Sequence, residues 1–289
     1  MELVILAAGA GRRYGGPKQL APVGPAGEWL MDYTVHDAVA AGFHRLVVVV
    51  RADIEAAVRQ RAARWPGRLE VEVVCQDRAG PGQPAGLAGT AHALAVAARQ
   101  LSGDFATANA DDLYGPGALA ALAEHLRTGP PGAHAMVGLP AAASFCGPGP
   151  VRRAVCRLGP DARLVSVTEA SLSRSGGRLL WRPLGEGPGP PAPLDPATLV
   201  SVNLWGLRRW ALAFVEEAVG QAAGRGGARE VLLPEVVSAM LARGEQVVAL
   251  PGRGPCLGLT HPEDLEEVRR GLAGAVAAGR FPPQLWPGH

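Results

Sequence analysis

The sequence predicts an α/β fold: a mostly parallel sheet with helices on both faces, followed by an elaborated second half. Three observations predict it. Residues 3–7, within a strand expected over 2–7, form a continuous apolar run, the pattern of a strand buried on both faces. Runs of that kind then alternate with helix-period segments over short connections, the signature of a parallel sheet. Finally, 48% of the 289 residues are hydrophobic against 19% charged, so the chain can bury a substantial core.

After the first strand, residues 9–16 form a glycine-rich turn. Residues 30–41 read as a helix, with Asp32 in the first turn and Gly42 as the stop. A second buried strand covers 45–50, a helix 54–63 and a third strand 69–74. Residues 76–89 are rich in Gly and Pro and loop-like, and Thr90 is placed to cap a helix reaching Gln100. Residues 105–108 are a fourth strand ending at 109–112; Pro116 precedes a helix at 118–126, and 135–139 is the next strand. The second half is less regular, with strands expected at 151–157, 164–167, 199–207 and 246–250. Helices are expected there at 209–222, 230–243 and 262–277. Residues 183–193 are low-complexity and read as an exposed loop. No linker divides the chain, so one domain is expected over 1–289, with a regular first half to about 130 and a second half from about 131.

The net charge of +2 argues against a nucleic-acid coat and against a polybasic membrane anchor. Residues 1–8 lack a basic leader and are too short for a signal core or a membrane span, so the cytoplasm is the expected location. Cys75, Cys146, Cys156 and Cys256 are scattered, without Cys-x-x-Cys or zinc spacing, and are expected as reduced thiols.

Ligands of such sheets sit beyond the carboxyl ends of the strands. Residues 9–18 and 109–112 both follow strands and fall on that edge. In the first segment, Gly9, Gly11, Gly15 and Gly16 leave backbone N–H groups open to a polyanion. Arg12, Arg13 and Lys18 add positive charge with no carboxylate beside them, which suits a triphosphate. Two other phosphate loops fail on register. A dinucleotide fingerprint needs its third glycine one place before Gly15, and a P-loop needs Gly-Lys-Ser/Thr where Pro17 and Gln19 intervene. In the second segment Asp111 and Asp112 are adjacent and point in different directions, so one can ligate Mg²⁺ while the other faces elsewhere.

The run Leu6-Ala7-Ala8-Gly9-Ala10-Gly11-Arg12-Arg13, with Lys18 and Ala21-Pro22-Val23, resembles the N-terminal signature of the nucleotide-sugar pyrophosphorylase (sugar-phosphate nucleotidyltransferase) family. Met31-Asp32-Tyr33, Ala41-Gly42-Phe43 and residues 109–115, 201–206 and 282–286 resemble a less characterised bacterial branch of it. The resemblance implies a Rossmann-like fold of the nucleotide-diphospho-sugar transferase type. It implies Mg²⁺-dependent transfer of a nucleoside monophosphate from a nucleoside triphosphate to a sugar 1-phosphate or a cyclitol phosphate, with release of pyrophosphate.

By the same resemblance Arg13 and Lys18 fill the family's basic positions and Asp111 its metal-binding aspartate. Leu6, Ala8, Gly9, Gly11, Arg12 and Asn109 would line the nucleotide. Gly89-Thr90-Ala91-His92-Ala93 resembles the segment lying against the nucleobase, with Gln83 at a base edge and His92 structural. Glu169 and Asn203 resemble residues that contact sugar hydroxyls; Gly138 would let the backbone approach the ring, and Asp112 would lie beside the acceptor. Two departures stand out. The second metal aspartate is missing, Leu233 standing near its place, and Glu230 is the expected substitute. Ala170 replaces the basic residue that commonly follows the acid at 169, so another cation must serve the acceptor or the acceptor sits differently. Transfer to a non-sugar alcohol or cofactor phosphate, or a non-catalytic nucleotide-sugar-binding regulator, are the alternatives. No nucleic-acid or membrane partner is expected, and a homo-oligomer is compatible with the sequence.

Overall fold

The structure, a computed structural model, describes residues 1–78, 87–145, 149–184, 189–225 and 229–286, with backbone only at Leu87 and Arg229. Strand β1 (Glu2–Leu6), helix α1 (Leu30–Ala40), β2 (Arg45–Val50), α2 (Glu55–Ala62) and β3 (Glu70–Cys75) alternate as the apolar periodicity predicts. The short strand β4 (Leu87–Ala88) precedes α3 (Thr90–Ala97), β5 (Phe105–Asn109), β6 (Asp112–Leu113), α4 (Ala118–Thr128) and β7 (His134–Pro140). The second half contributes β8 (Val151–Leu158), β9 (Leu164–Ser175), β10 (Arg178–Pro183), β11 (Ala192–Pro193) and β12 (Leu199–Leu207). It closes with α5 (Ala211–Gly224), β13 (Arg229–Glu230), α6 (Leu233–Ala242), β14 (Val247–Pro251), β15 (Leu257–Gly258) and α7 (Asp264–Ala277).

β1 lies between β2 and β5 and is parallel to both; β3 extends this half beyond β2, again in parallel. Because alternate residues of a strand point to opposite faces, the apolar run of β1 feeds two cores. Val4 and Leu6 join Val47 and Val49 under α3, α5 and α6. Leu3 and Ile5 join Leu46 and Val48 under α1, α2 and α4. Each such side chain, fully buried, contributes about 1.5–3 kcal/mol. A third apolar cluster seats Val268 and Leu272 of α7 against Val23, Leu30 and Tyr33.

The elaborated second half extends the same sheet with antiparallel strands. One edge of β12 pairs with β7, which carries β14 in parallel on its other side. The other edge of β12 pairs first with β8 and then with β5. From β8 the sheet continues through β9, β10 and β11. The α/β class expected from the sequence is therefore the one observed. Among the described residues no helix is long and apolar enough to cross a membrane. Among the described residues Cys75, Cys156 and Cys256 form no disulfide, and Cys146 lies outside them.

Four expectations need correction. The strand expected at 164–167 runs to Ser175 and folds back as β10 through Gly176 and Gly177, whose φ values of 56° and 74° meet the demand of a two-residue hairpin turn. Residues 183–193 are not wholly loop, since Ala192 and Pro193 return to pair with Trp181 and Leu180; residues 185–188 lie outside the described set. The helix expected from 230 starts at Leu233, because residues 229–230 pair in parallel with β4 and Pro234, lacking an N–H, belongs in a first turn. Thr90 does not cap α3. Gly89 holds the N-cap position, and Thr90 Oγ1 instead accepts the N–H of Leu233 at 2.9 Å.

Helices α1 and α2 are joined by one buried carboxylate. Asp32, 0% exposed, accepts hydrogen bonds from Trp29 N (2.7 Å), Arg61 Nε (2.8 Å) and Trp65 Nε1 (2.7 Å). Removing it strands a guanidinium and an indole N–H in the interior, a loss on the scale of about 3–5 kcal/mol for a broken buried pair. Asp32→Ala is expected to lower the unfolding free energy by about 3 kcal/mol in urea titrations. A change below about 1 kcal/mol would contradict this role.

Candidate active site

The carboxyl ends of β1, β2, β3 and β5 open onto one cleft of about 780 Å³. Leu6 is in register with both Val49 and Asn109, so the loops leaving β1, β2 and β5 start level with one another. Leu6, Ala8, Gly9, Gly11, Arg12, Arg13 and Lys18 line one side, and Asn109 and Asp111 face the same space. Gly11 has φ 62°, and a Cβ there would lie 2.0 Å from Gly16 O, so only glycine closes this turn. Gly9 O accepts Gln19 Nε2 at 2.7 Å and the Arg51 Nη1 donor. Among the described residues, the N–H groups of residues 8–13 have no hydrogen-bond acceptor. A turn with its carbonyl pinned and its donors unengaged is prepared for an anion. Arg51 was not foreseen. Its place directly after β2 was the available signal, since every strand end on this edge borders the cleft.

Lys18 Nζ ion-pairs with Asp111 Oδ2 and donates to Leu259 O at 2.7 Å. The two side chains are 14% and 20% exposed, so the pair is open to the cleft yet partly withdrawn from water. Arg13 is exposed, and among the described residues it makes no ion pair. Withdrawal from bulk solvent lowers its pKa, and the like charges of Arg152 and Arg153 lower it further. Arg13 and Arg152 thus face one space, while Arg153 lies behind it against Asp112.

Asp112 turns the other way. It accepts Asn109 Nδ2 at 2.8 Å, lies 3.7 Å from Arg153 Nη2, and sits against Gly258, whose added Cβ would fall 2.3 Å from Asp112 Oδ1. Burial pushes its carboxyl above the usual range. The acceptor contact expected of Asp112 is therefore not where its side chain points: it is a buried support beneath Asp111.

Farther along the same cleft, Gly89 has φ 100° and packs so closely that a Cβ would meet Val231 O at 2.4 Å. Gly89 and Thr90 line the cleft. His92 is buried, with Nδ1 2.7 Å from Gln76 Nε2, and burial lowers its pKa. Gln76 and Asp77, just beyond β3, also line the cleft and were missed from sequence. Gln83 lies outside the described residues.

The antiparallel strands form the remaining wall. Asn203 lines it with φ 60°, within a register shift between Ser201 and Trp205, a left-handed conformation that Asn adopts more readily than most residues. Glu169 sits in the middle of β9 rather than at a strand end, in register with Ala154. Burial pushes its carboxyl up to about 7, with Arg152 and Arg153 opposing the rise and Glu235 adding to it. Gly138 is buried in β7, where a Cβ would meet Met136 Cε at 2.8 Å; it serves strand packing and does not line the cleft. Glu230 is exposed at the rim, its Oε2 3.5 Å from Arg152 Nη1. Among the described residues no three His, Cys, Asp or Glu side chains converge on one point. Arg152, Ser171 and Arg182 line this wall and were not foreseen.

The family model described as "MobA-like NTP transferase domain" matches residues 3–173. No curated protein matches the chain in sequence. Among solved structures, the inositol-1-phosphate CTP transferase of T. maritima superposes with a TM-score of 0.65 at 16% identity, covering 94% of this chain and 97% of the other. A putative glucose-1-phosphate thymidylyltransferase from Bacillus anthracis gives a TM-score of 0.66 at 12% identity, with 94% and 95% covered. A UDP-glucose pyrophosphorylase complexed with UDP-glucose gives 0.62 at 14% identity, with 94% and 98% covered. At these identities the likeness is one of fold.

Glu169 carries a pH signature. Its folded-state pKa is raised from 4.5 to about 7, so its stabilising contribution is complete below pH 4.5 and is lost as pH rises through about 7. Glu169→Gln does not titrate. The variant's Tm is expected to gain on the wild type across that interval and to run parallel above it. A gap independent of pH would place the carboxyl in ordinary solvent.

Proposed function

Because the chain belongs to the MobA-like NTP transferase family and is a nucleotidyltransferase, we propose that it moves a nucleoside monophosphate from a nucleoside triphosphate to a sugar 1-phosphate or cyclitol phosphate, releasing pyrophosphate. One observation carries the reading: a cationic, donor-rich turn after β1 meets the carboxylate beyond β5 at the mouth of one cleft, through Lys18 and Asp111. We read the chain as one unit, with a nucleotide-binding half to about residue 130 and an acceptor-binding half after it, because a single sheet joins both.

The unengaged N–H groups of residues 8–13, with Arg12 and Arg13, bind the triphosphate. Gly89 and Thr90 present backbone to the base, and Asn109 borders the nucleotide. An oxygen of the acceptor phosphate attacks the α-phosphorus in line, and pyrophosphate departs. The acceptor monoester has a second pKa of about 6 and is already largely dianionic at neutral pH, so no general base is required. Catalysis comes from positioning and charge neutralisation. Lys18 holds the α-phosphate or the acceptor phosphate, and Arg13 offsets charge on the departing pyrophosphate. Glu169 and Asn203 face the polyhydroxylated part of the acceptor.

The donor set fits Mg²⁺, which is commonly held by one or two carboxylates together with substrate phosphates. Asp111 is the carboxylate that would hold it, and the bound ion would neutralise phosphate charge. Glu230, at the rim against Arg152, is the weaker candidate for a second ligand.

The test is a panel of the four common nucleoside triphosphates against hexose 1-phosphates and inositol phosphates, read as pyrophosphate release with magnesium and with chelator. One pair is expected to turn over, and chelator to abolish it. Arg13→Ala and Lys18→Met are each expected to lower kcat by about a hundred- to a thousandfold, the scale of a lost transition-state donor. Unchanged turnover in Arg13→Ala, or silence across the whole panel, would defeat the reading.

A further inference from the structure

The acceptor wall holds an arrangement that the attacking phosphate does not account for. Ser171 of β9 is in register with Arg152 of β8 on one side and with Arg182 of β10 on the other. Residues directly opposite one another across strands share a face of the sheet. All three line the cleft, so a serine hydroxyl lies there between two guanidinium groups. Planar guanidinium groups flanking a hydroxyl donor match the oxygens of a phosphate or a carboxylate.

Little neutralises this row. Among the described residues the Arg182 side chain is exposed and makes no hydrogen bond or ion pair. Arg152 lies 3.5 Å from Glu230, but the two side chains are 54% and 61% exposed, and so open a pair is weak. Glu169, two residues from Ser171 on the same face, is a second acid nearby, with Glu235 close enough to act on it.

The far end of the row is set apart from the triphosphate turn. β5 and β8 pair with one edge of β12 at successive levels, so Arg152 stands near the carboxyl end of β5, where its charge acts on Arg13. From there the row runs through β9 to β10, and at about 4.8 Å per strand Arg182 lies about 10 Å beyond Arg152. An anion held between Ser171 and Arg182 is therefore reached from Lys18 and Asp111 along the acceptor wall, about the span of a hexose.

We infer that Arg152, Ser171 and Arg182 form a second anion subsite, which takes a phosphate or carboxylate at the end of the acceptor remote from the attacking phosphate. The acceptor class is then a doubly anionic sugar or cyclitol. The inference rests on the nucleotidyl-transfer reading for the other end of that molecule. It also supplies a cation to the wall where Ala170 offers none.

Binding and turnover are measured separately, so that the two readings fail separately. Calorimetry on the full chain compares glucose 1,6-bisphosphate, glucuronic acid 1-phosphate and glucose 1-phosphate. At least one of the first two is expected to bind about tenfold or more tightly than glucose 1-phosphate, the scale of one charge-assisted hydrogen bond. Which of them does so tells a phosphate from a carboxylate. Arg182→Gln is expected to erase most of that advantage and Arg182→Lys to restore part of it. Equal binding of all three sugars to the wild type overturns the subsite, and so does an advantage that survives Arg182→Gln. A preference that behaves as expected without pyrophosphate release from any triphosphate would retain the subsite and overturn the transfer reading.

Discussion

The ion pair between Lys18 and Asp111 is the constraint on which the rest of the site depends. A single ammonium group meets a carboxylate from the β5 loop and the carbonyl of Leu259 near the C-terminal helix. Three segments remote in sequence therefore converge at one atom. The pair forms only because β1 and β5 lie side by side in parallel, with Leu6 opposite Asn109. An offset of one residue would turn each strand's inward set outward and destroy both cores. The burial that fixes the register thus also fixes the approach of Lys18 to Asp111.

The two halves of the sheet divide the work by their chemistry. On the parallel side, strand ends supply backbone donors and small residues to the cleft. On the antiparallel side, strands cross the cleft with their faces, so side chains rather than strand ends line it. β12 links the two, pairing with β5 and with β8 along one edge. The backbone at Asn203, with φ 60°, breaks the register where these two geometries join. Asp112 is a support of the same kind: a buried carboxylate holds Asn109 and Arg153 beneath the residue that faces the cleft.

The first half was legible because its signals are local. An unbroken apolar run such as 46–50 reads as a strand covered on both faces, and Gly11 stands where no side chain fits. The places of Lys18 and Asp111 on the cleft were legible because each follows a strand on the edge where it opens. The errors have equally physical causes. The hairpin of β9 and β10 carries mixed polar residues whose outward face meets the cleft, so its hydrophobic alternation is weak, although Gly176-Gly177 marked the turn. Thr90 had the chemistry of a cap, but a backbone N–H from Leu233 claimed its hydroxyl.

By itself the sequence determined the alternation of the main strands and helices in the first half, the glycine turn and its charges, and the strand end that bears the acids. These follow from periodicity, steric demand and charge, which act over a few residues. Only the tertiary structure decided that Asp112 is buried and Asp111 open, that Gly138 serves packing, and that Arg152, Ser171 and Arg182 stand in one row. Those outcomes depend on which strands pair and in what register. Pairing is chosen by burial summed over the whole sheet, and no local stretch of the chain contains that sum.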